Sequence, residues 1–236
     1  MAEEKLREAQ MTPEDSIIRS YYDETAEYYD HSRFENTYGS FIHRQERSIL
    51  LKEITNIQGV NVDLCCGTGR FMEFACYGVD ASSKMVAQAK LKHGNKEFFV
   101  EDAANTHFGN ECADTIFCFH VFMHLSETKT TEIIDEAHRI LRPGGMFIFD
   151  FPSKSRRALF NKQKEGWHGA SGYTIDEITK QAGEKLRIKT YYGVLFFPIH
   201  RLPSWLRKYF FHFDSILCRS IFKKYASYLV IVLVKK

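Results

Sequence analysis

A chain of 236 residues, 44% of them hydrophobic and 26% charged, is ordinary for one globular unit and leaves little room for a disordered or fibrous protein. No run approaches the roughly 18 apolar residues of a spanning helix, and the charged opening Met1-Ala-Glu-Glu-Lys-Leu-Arg-Glu lacks the apolar core of a secretory signal, so a frayed leader and a cytoplasmic protein are expected. The net charge of +2 hides a division: residues 185–236 carry eleven Lys or Arg and one acid, Asp214, on a body with 21 basic and 29 acidic residues.

Asp15 and Ser16 offer N-cap chemistry ahead of Ile18, Tyr22, Ala26 and Tyr29, whose spacing predicts an amphipathic helix. A second helix is predicted over 36–54, with Phe41, Ile42, Ile49 and Leu50 as its apolar stripe. Residues 60–65 form a β-rich run that stops at Cys66-Gly67-Thr68-Gly69, which predicts strand, glycine turn, helix. Next come a strand ending at Asp80, a helix from Ser82 or Ser83 to about Lys92, and a strand over 98–100 ending near Asp102. A strand over 114–120, a helix over 127–141 and a strand over 146–151 after Pro143-Gly144-Gly145 complete the alternation. Strands alternating with helices imply a parallel sheet covered on both faces.

Residues 153–171 are polar and aperiodic, so they read as a loop or mobile lid. Beyond them the pattern predicts a helix over 174–182, a strand over 186–195, a long helix with Ser204 as N-cap, and a strand over 227–234. In that long helix Leu206, Phe210, Phe213, Leu217 and Ile221 are expected to pack, leaving Phe211 and Phe222 outward with Arg207, Lys208 and Arg219. Such a face suits an anionic lipid surface or a phosphorylated acceptor; a solvated helix resting on a neighbouring loop or second subunit is the plainer account. No RNA-binding motif supports nucleic acid as a partner, and the oligomeric state is not legible. Six cysteines without CxxC spacing are expected as reduced thiols; Cys112, Cys118, His120 and His124 match no zinc pattern, so no metal site is expected. The organisation expected is cap helices over 1–55, a core over 56–152, and a lid and acceptor-side region over 153–236 completing one domain.

A glycine turn after a strand lets backbone N–H groups approach a ligand, although it equally serves as a plain structural turn. Asp80 closes the next strand, where an acid holds a ribose diol, and it also stands where a helix N-cap would. With Asp63 and Asp102, three acids fall at three successive strand ends, along the edge where open α/β sheets bind ligands.

The ordered set resembles the class I S-adenosyl-L-methionine (SAM)-dependent methyltransferases, in their broad small-molecule branch. Val62-Asp-Leu-Cys-Cys-Gly-Thr-Gly69 resembles the family's first motif, Gly78-Val-Asp-Ala-Ser82 its ribose-binding strand end, Glu101-Asp-Ala103 its adenine loop, and Leu141-Arg-Pro-Gly-Gly-Met-Phe147 its turn and fifth strand. Tyr21-Tyr-Asp-Glu-Thr-Ala-Glu-Tyr-Tyr-Asp-His-Ser-Arg33 is similar to the helix many members fold over the cofactor. The resemblance, over about 21–151, implies an α/β Rossmann-like seven-stranded sheet with helices on both faces, the last strand pair antiparallel, an N-terminal helical cap and a C-terminal helical insertion. It also implies SAM as cofactor. Cys65, Gly67 and Gly69 would lie against its methionine part, Asp80 would take the ribose hydroxyls, Asp102 the adenine amino group, and Ala81 and Ala103 would flank the ring. Phe119 or His120 would face the sulfonium, with Tyr29 and Arg44 as candidates for the amino acid end; for Tyr29 a place in the core stripe is as ordinary. The sequence departs from the family at Cys65, which stands where glycine is usual, and in the eight residues from Arg70 to Tyr77, which clip the first helix.

The implied activity is methyl transfer to O or N of a small or lipid-linked acceptor. A tRNA-base methyltransferase and a SAM-binding regulator without turnover are its rivals. An O–H or N–H acceptor must lose a proton, which makes His120 and His124 the candidate general bases, although loop histidines more often cap or pack. Peripheral contact with the inner membrane surface through 204–224 goes with a lipid-linked acceptor.

Overall fold

The computed structural model describes residues 12–160 and 169–236. The expected leader and the middle of the expected lid, residues 161–168, lie outside them. Helix α1 (Pro13–Thr25) starts earlier than the Asp15 or Ser16 caps imply: Thr12 is the N-cap, its hydroxyl oxygen accepting from the Asp15 N–H, and Pro13 follows at the first position, where no N–H is needed. The helix stops at Thr25, so Tyr29 opens a separate short helix, α2 (Tyr29–Arg33). Asn36 then caps α3 (Thr37–Glu53), accepting from the N–H groups of Tyr38 and Gly39. The α2–α3 corner is tight enough that a Cβ at Gly39 would lie 1.9 Å from the Arg33 carbonyl oxygen.

Seven strands follow: β1 (Asn61–Leu64), β2 (Tyr77–Asp80), β3 (Glu97–Val100), β4 (Ala113–Cys118), β5 (Leu141–Pro152), β6 (Leu186–Val194) and β7 (Tyr228–Lys235). Their order is β3-β2-β1-β4-β5-β7-β6; the first five are parallel, and β7 runs antiparallel to both β5 and β6. Helices α4 (Ser83–Lys92), α5 (Glu127–Ile140), α6 (Lys154–Leu159), α7 (Ile175–Ala182) and α8 (Ser204–Leu217) fill the connections. The sheet is therefore Rossmann-like, as the resemblance implied. Along β5, Phe147, Phe149 and Phe151 join a core with α5 and α7, while Ile148 between them joins the opposite core with α3 and α4. Period-two alternation thus feeds two buried faces, which is why the strand reads as an unbroken apolar run.

Two expectations fail for physical reasons. No helix joins β1 to β2: residues 65–76 make a chain of turns closed by three-residue bonds such as Met72 N–H to Gly69 O and Phe74 N–H to Phe71 O. Phe71, Met72, Phe74 and Ala75 are all buried, and so short a crossover with so much to bury has no exposed face to offer a helix. In α8, Ser204 occupies the first helical position after Pro203 and makes no side-chain cap. The helix is also rotated from the expected register: Phe211 packs on Phe41, whereas Phe213 and Ile221 are exposed. A buried polar clasp sets that rotation. Gln45 Nε2 donates to Asp214 Oδ2 (2.8 Å), Gln45 Oε1 accepts from the Leu195 N–H (3.0 Å), and Asp214 also accepts from the N–H groups of Phe196 and Phe197. Leaving Asp214 unpaired in the core would cost more than exposing a phenylalanine. Within the expected lid, Ser153 caps the short α6. No helix among the described residues is long and apolar enough to cross a membrane.

Candidate functional site

The bend after β1 is built from left-handed backbone: φ is +58° at Cys65, +53° at Gly67 and +82° at Gly69. Glycine adopts this region freely and cysteine does not, so Cys65 is held there at some cost in strain. At Gly69 a side chain would meet His93 at 2.8 Å, whereas a Cβ on Gly67 would meet nothing within 4 Å. A ligand can therefore approach the Gly67 backbone closely. The Gly67 N–H donates to Asp80 Oδ2 (2.8 Å) and the Ser82 N–H to Asp80 Oδ1 (2.9 Å), which fixes the carboxylate at the end of β2. Burial pushes the Asp80 carboxyl up to about 6 in spite of those two donors. Burial also raises Asp63, in β1, well above the carboxylate range.

The N-terminal helices close on this bend through two carboxylates. Asp23 accepts from the Ser82 hydroxyl (2.6 Å), and Asp30 accepts from the Thr68 hydroxyl (2.5 Å) and pairs with Lys92. Tyr29 sits between them, its ring edge-on to Tyr22 and Phe34.

Beside the bend lies a buried charge cluster. Arg70, directly after Gly69, donates to Glu46 Oε2 (2.7 Å) and stacks its guanidinium on Phe34 and Phe71. Glu46 Oε1 is 2.8 Å from His120 Nε2, close but off the line that a hydrogen bond needs, so the attraction is one of charge. On its other side His120 Nδ1 is 3.8 Å from Asp150 Oδ2, and the His120 N–H donates to Asp150 Oδ1 (2.5 Å). Glu46 and Asp150 are almost wholly buried, and His120 itself is held at φ +63°. Burial alone would raise Glu46, but His120 and then Arg70 overcome it and hold the carboxyl at about 2. Burial works to lower His120, and the two carboxylates prevail and raise it. Asp150 is pushed up to about 6, chiefly by burial. Two acids and two bases make the cluster neutral when His120 is protonated and Asp150 ionised. Glu46, His120 and Asp150 bring ligand atoms within 4.8 Å of one another, close enough for a cation as well.

The remaining predicted residues divide. Ala81 is exposed next to Asp80, and Ala103 is buried behind Asp102. Asp102 is exposed, with Oδ1 accepting from the Ala104 N–H and Oδ2 held by Lys129 of α5 at 2.5 Å. Phe119 is buried and packs on Phe71 in the turns that follow the bend, and Arg44 turns toward α8, its guanidinium 3.9 Å from the centre of the Phe211 ring. His124 is buried, accepts the Gly169 N–H at Nδ1 (3.1 Å) and meets Tyr22 edge-on. Glu46, Arg70 and Asp150 were not foreseen. Two had a signal: Glu46 interrupts the stripe of Ile42, Ile49 and Leu50, and Asp150 interrupts the apolar run Met146-Phe-Ile-Phe-Asp-Phe151.

The sheet order, the glycine bend and the acid at the end of β2 define a class, and comparison with known proteins agrees. Residues 62–149 match the family described as a methyltransferase domain. Over that stretch the chain is similar to SAM-dependent methyltransferases, and solved structures of like fold hold SAM or its demethylated product SAH. It is similar to an uncharacterized methyltransferase of Synechocystis sp., 28% identical over 92 residues that cover 36% of this chain; the match spans only 43% of that relative's length. In fold it is similar to a SAM-dependent methyltransferase of Thermotoga maritima (TM-score 0.65, 18% identity, 91% of this chain and 98% of that one). It is equally similar to the magnesium protoporphyrin IX methyltransferase of Synechocystis with bound SAH (TM-score 0.65, 18% identity, 94% and 100%).

Proposed function

We propose that this chain transfers the methyl group of SAM to an oxygen or nitrogen of a small or lipid-linked acceptor, with His120 taking the acceptor's proton. One observation carries the reading: a histidine at the end of β4, beside the glycine bend, is clasped between two buried carboxylates. The residues of the bend suit the cofactor. Gly67 leaves its backbone open to a ligand, and the fixed Asp80 carboxylate offers oxygens to a diol. When bound, SAM supplies a methyl group already activated by its sulfonium, so the protein's task is alignment and proton removal. Glu46 and Asp150 make His120 a stronger base, and its unprotonated form is the one that works, so the rate rises with pH through the raised His120 pKa. His124 is the weaker candidate, because the Gly169 N–H occupies its Nδ1 lone pair.

Incubation with methyl-labelled SAM and three separate extracts, of small metabolites, lipids and bulk RNA, tests this. The expected label is in a metabolite or lipid and is lost in His120→Gln, which keeps SAH binding by calorimetry. Label confined to RNA would establish the tRNA-base rival, and SAH binding without any product would favour the regulator.

A further inference from the structure

On the solvent side of α8, Trp205, Tyr209, Phe213 and Ile216 are all more than half exposed, and Trp205 reaches 68%. At about 100° per residue these four fall within an arc of about 80°, and at 1.5 Å per residue they form a stripe about 17 Å long. Ile221 (84% exposed) and Phe222 extend it through the turn that follows. Monomeric proteins rarely leave so continuous an apolar strip in water. Its flank is basic: Lys208, Arg219 and Lys224 are exposed beside it, while the only acid of 185–236, Asp214, is buried in the Gln45 clasp. Aromatic residues along the middle, cations at the side and no exposed acid are the features of a helix lying in a bilayer interface. No described helix spans a membrane, so contact would be peripheral.

We infer that α8 and the turn over residues 218–224 dock on an anionic phospholipid surface, with Trp205, Tyr209, Ile216 and Ile221 entering the headgroup boundary and Lys208, Arg219 and Lys224 meeting the phosphates. Arg207, on the side of α8 opposite the stripe, donates from Nη1 to the Thr37 hydroxyl at the start of α3 (2.8 Å), which fastens the helix to the helix that carries Glu46. Docking does not depend on methyl transfer, and failure of one idea leaves the other standing.

The test is partition of the full chain onto vesicles of phosphatidylcholine alone or with phosphatidylglycerol added. We expect binding to the anionic vesicles at least about tenfold stronger than to the neutral ones, weakened by salt. With Trp167→Phe as background, Trp205 emission should shift to the blue on binding. Trp205→Gln with Ile216→Gln, and separately Lys208→Glu with Arg219→Glu, should each weaken binding about tenfold or more while melting temperature holds, since all four side chains are exposed. Absence of partition onto anionic vesicles, or partition with unshifted Trp205 emission, would overturn the proposal. So would a lipid-free dimer, seen by light scattering, that Trp205→Gln with Ile216→Gln converts to monomer, because the stripe would then be covered by a second copy.

Discussion

Replacing Glu46 by Gln keeps the side chain's volume and hydrogen-bonding reach but removes the charge that holds both Arg70 and His120. The fall of the Glu46 carboxyl from 4.5 to about 2 corresponds to roughly 3 kcal/mol of interaction with the ionised form, the range in which breaking one side of a buried pair usually falls. For a chain of this size that loss is worth about 6–12 °C in melting temperature. The pH dependence has a definite sign. Glu46 is lowered on folding, so its contribution is present above about 4.5 and is lost as pH falls toward 2. His120 is raised, so its contribution is present below about 6.5 and is lost as pH climbs through the raised value. The two statements describe one pair and are not added. Asp150, raised to about 6, acts in the opposite sense in both proteins and largely cancels from the difference. The gap between parent and Glu46→Gln is therefore expected to be widest between about pH 4.5 and 6.5, to shrink in acid, and to shrink only partly in alkali, where Arg70 still holds Glu46 in the parent. Urea unfolding at pH 3, 5.5 and 8.5, together with NMR titration of the His120 ring, measures it. A gap that ignores pH, or a His120 titration that does not move down in Glu46→Gln, would refute the account.

Asp80→Asn is expected to weaken SAH binding by about 30-fold in calorimetry, because two ribose hydroxyls would lose a charged acceptor worth about 2 kcal/mol; an unchanged Kd would remove Asp80 from the cofactor site. At Cys65, φ +58° sets opposite expectations for two variants: Cys65→Val costs about 2 kcal/mol in denaturant melts, whereas Cys65→Gly stays within about 0.5 kcal/mol of the parent, since relieved strain offsets added chain entropy. Gly39→Ala should cost about 3 kcal/mol or more, since the obstacle at 1.9 Å is backbone. Gln45→Ala strands the Leu195 N–H and removes one of the donors that hold Asp214, and about 2 kcal/mol of stability should go with them, read as a fall in urea midpoint.

Much of the sheet was legible because most of its strands are short apolar runs, with the glycine bend soon after β1 and Asp80 at the end of β2 as stops, and because α4 and α5 follow Ser82 and Ser126, serines whose side chains cap them. The missing first helix was half legible: eight residues were visibly too few, but the burial of Phe71, Met72 and Phe74 is a tertiary fact. The rotation of α8 could not be read from its apolar spacing, because Asp214, a residue that would ordinarily be placed in water, decides which side faces inward. At the site, Gly67, Gly69 and Asp80 stood out by type and spacing. Glu46 and Asp150 are distant in sequence, and only the packing of α3 across β4 and β5 makes them partners of one histidine. Asp102 was legible as a strand-end acid, but its pairing with Lys129 was not, since a lysine in the first turn of α5 reads as ordinary helix surface.

The position of β7 carries a consequence for how the molecule is made. On the ribosome β6 emerges first, yet its only neighbour in the sheet is β7, which separates it from the five parallel strands. Residues 186–194 must therefore wait, without sheet partners, until residues 228–235 have been synthesised, and then both strands can be fitted at once. A nascent chain stalled before that point should expose the bare edge of β5 to chaperones and proteases, and would gain resistance in a single step when the seventh strand arrives.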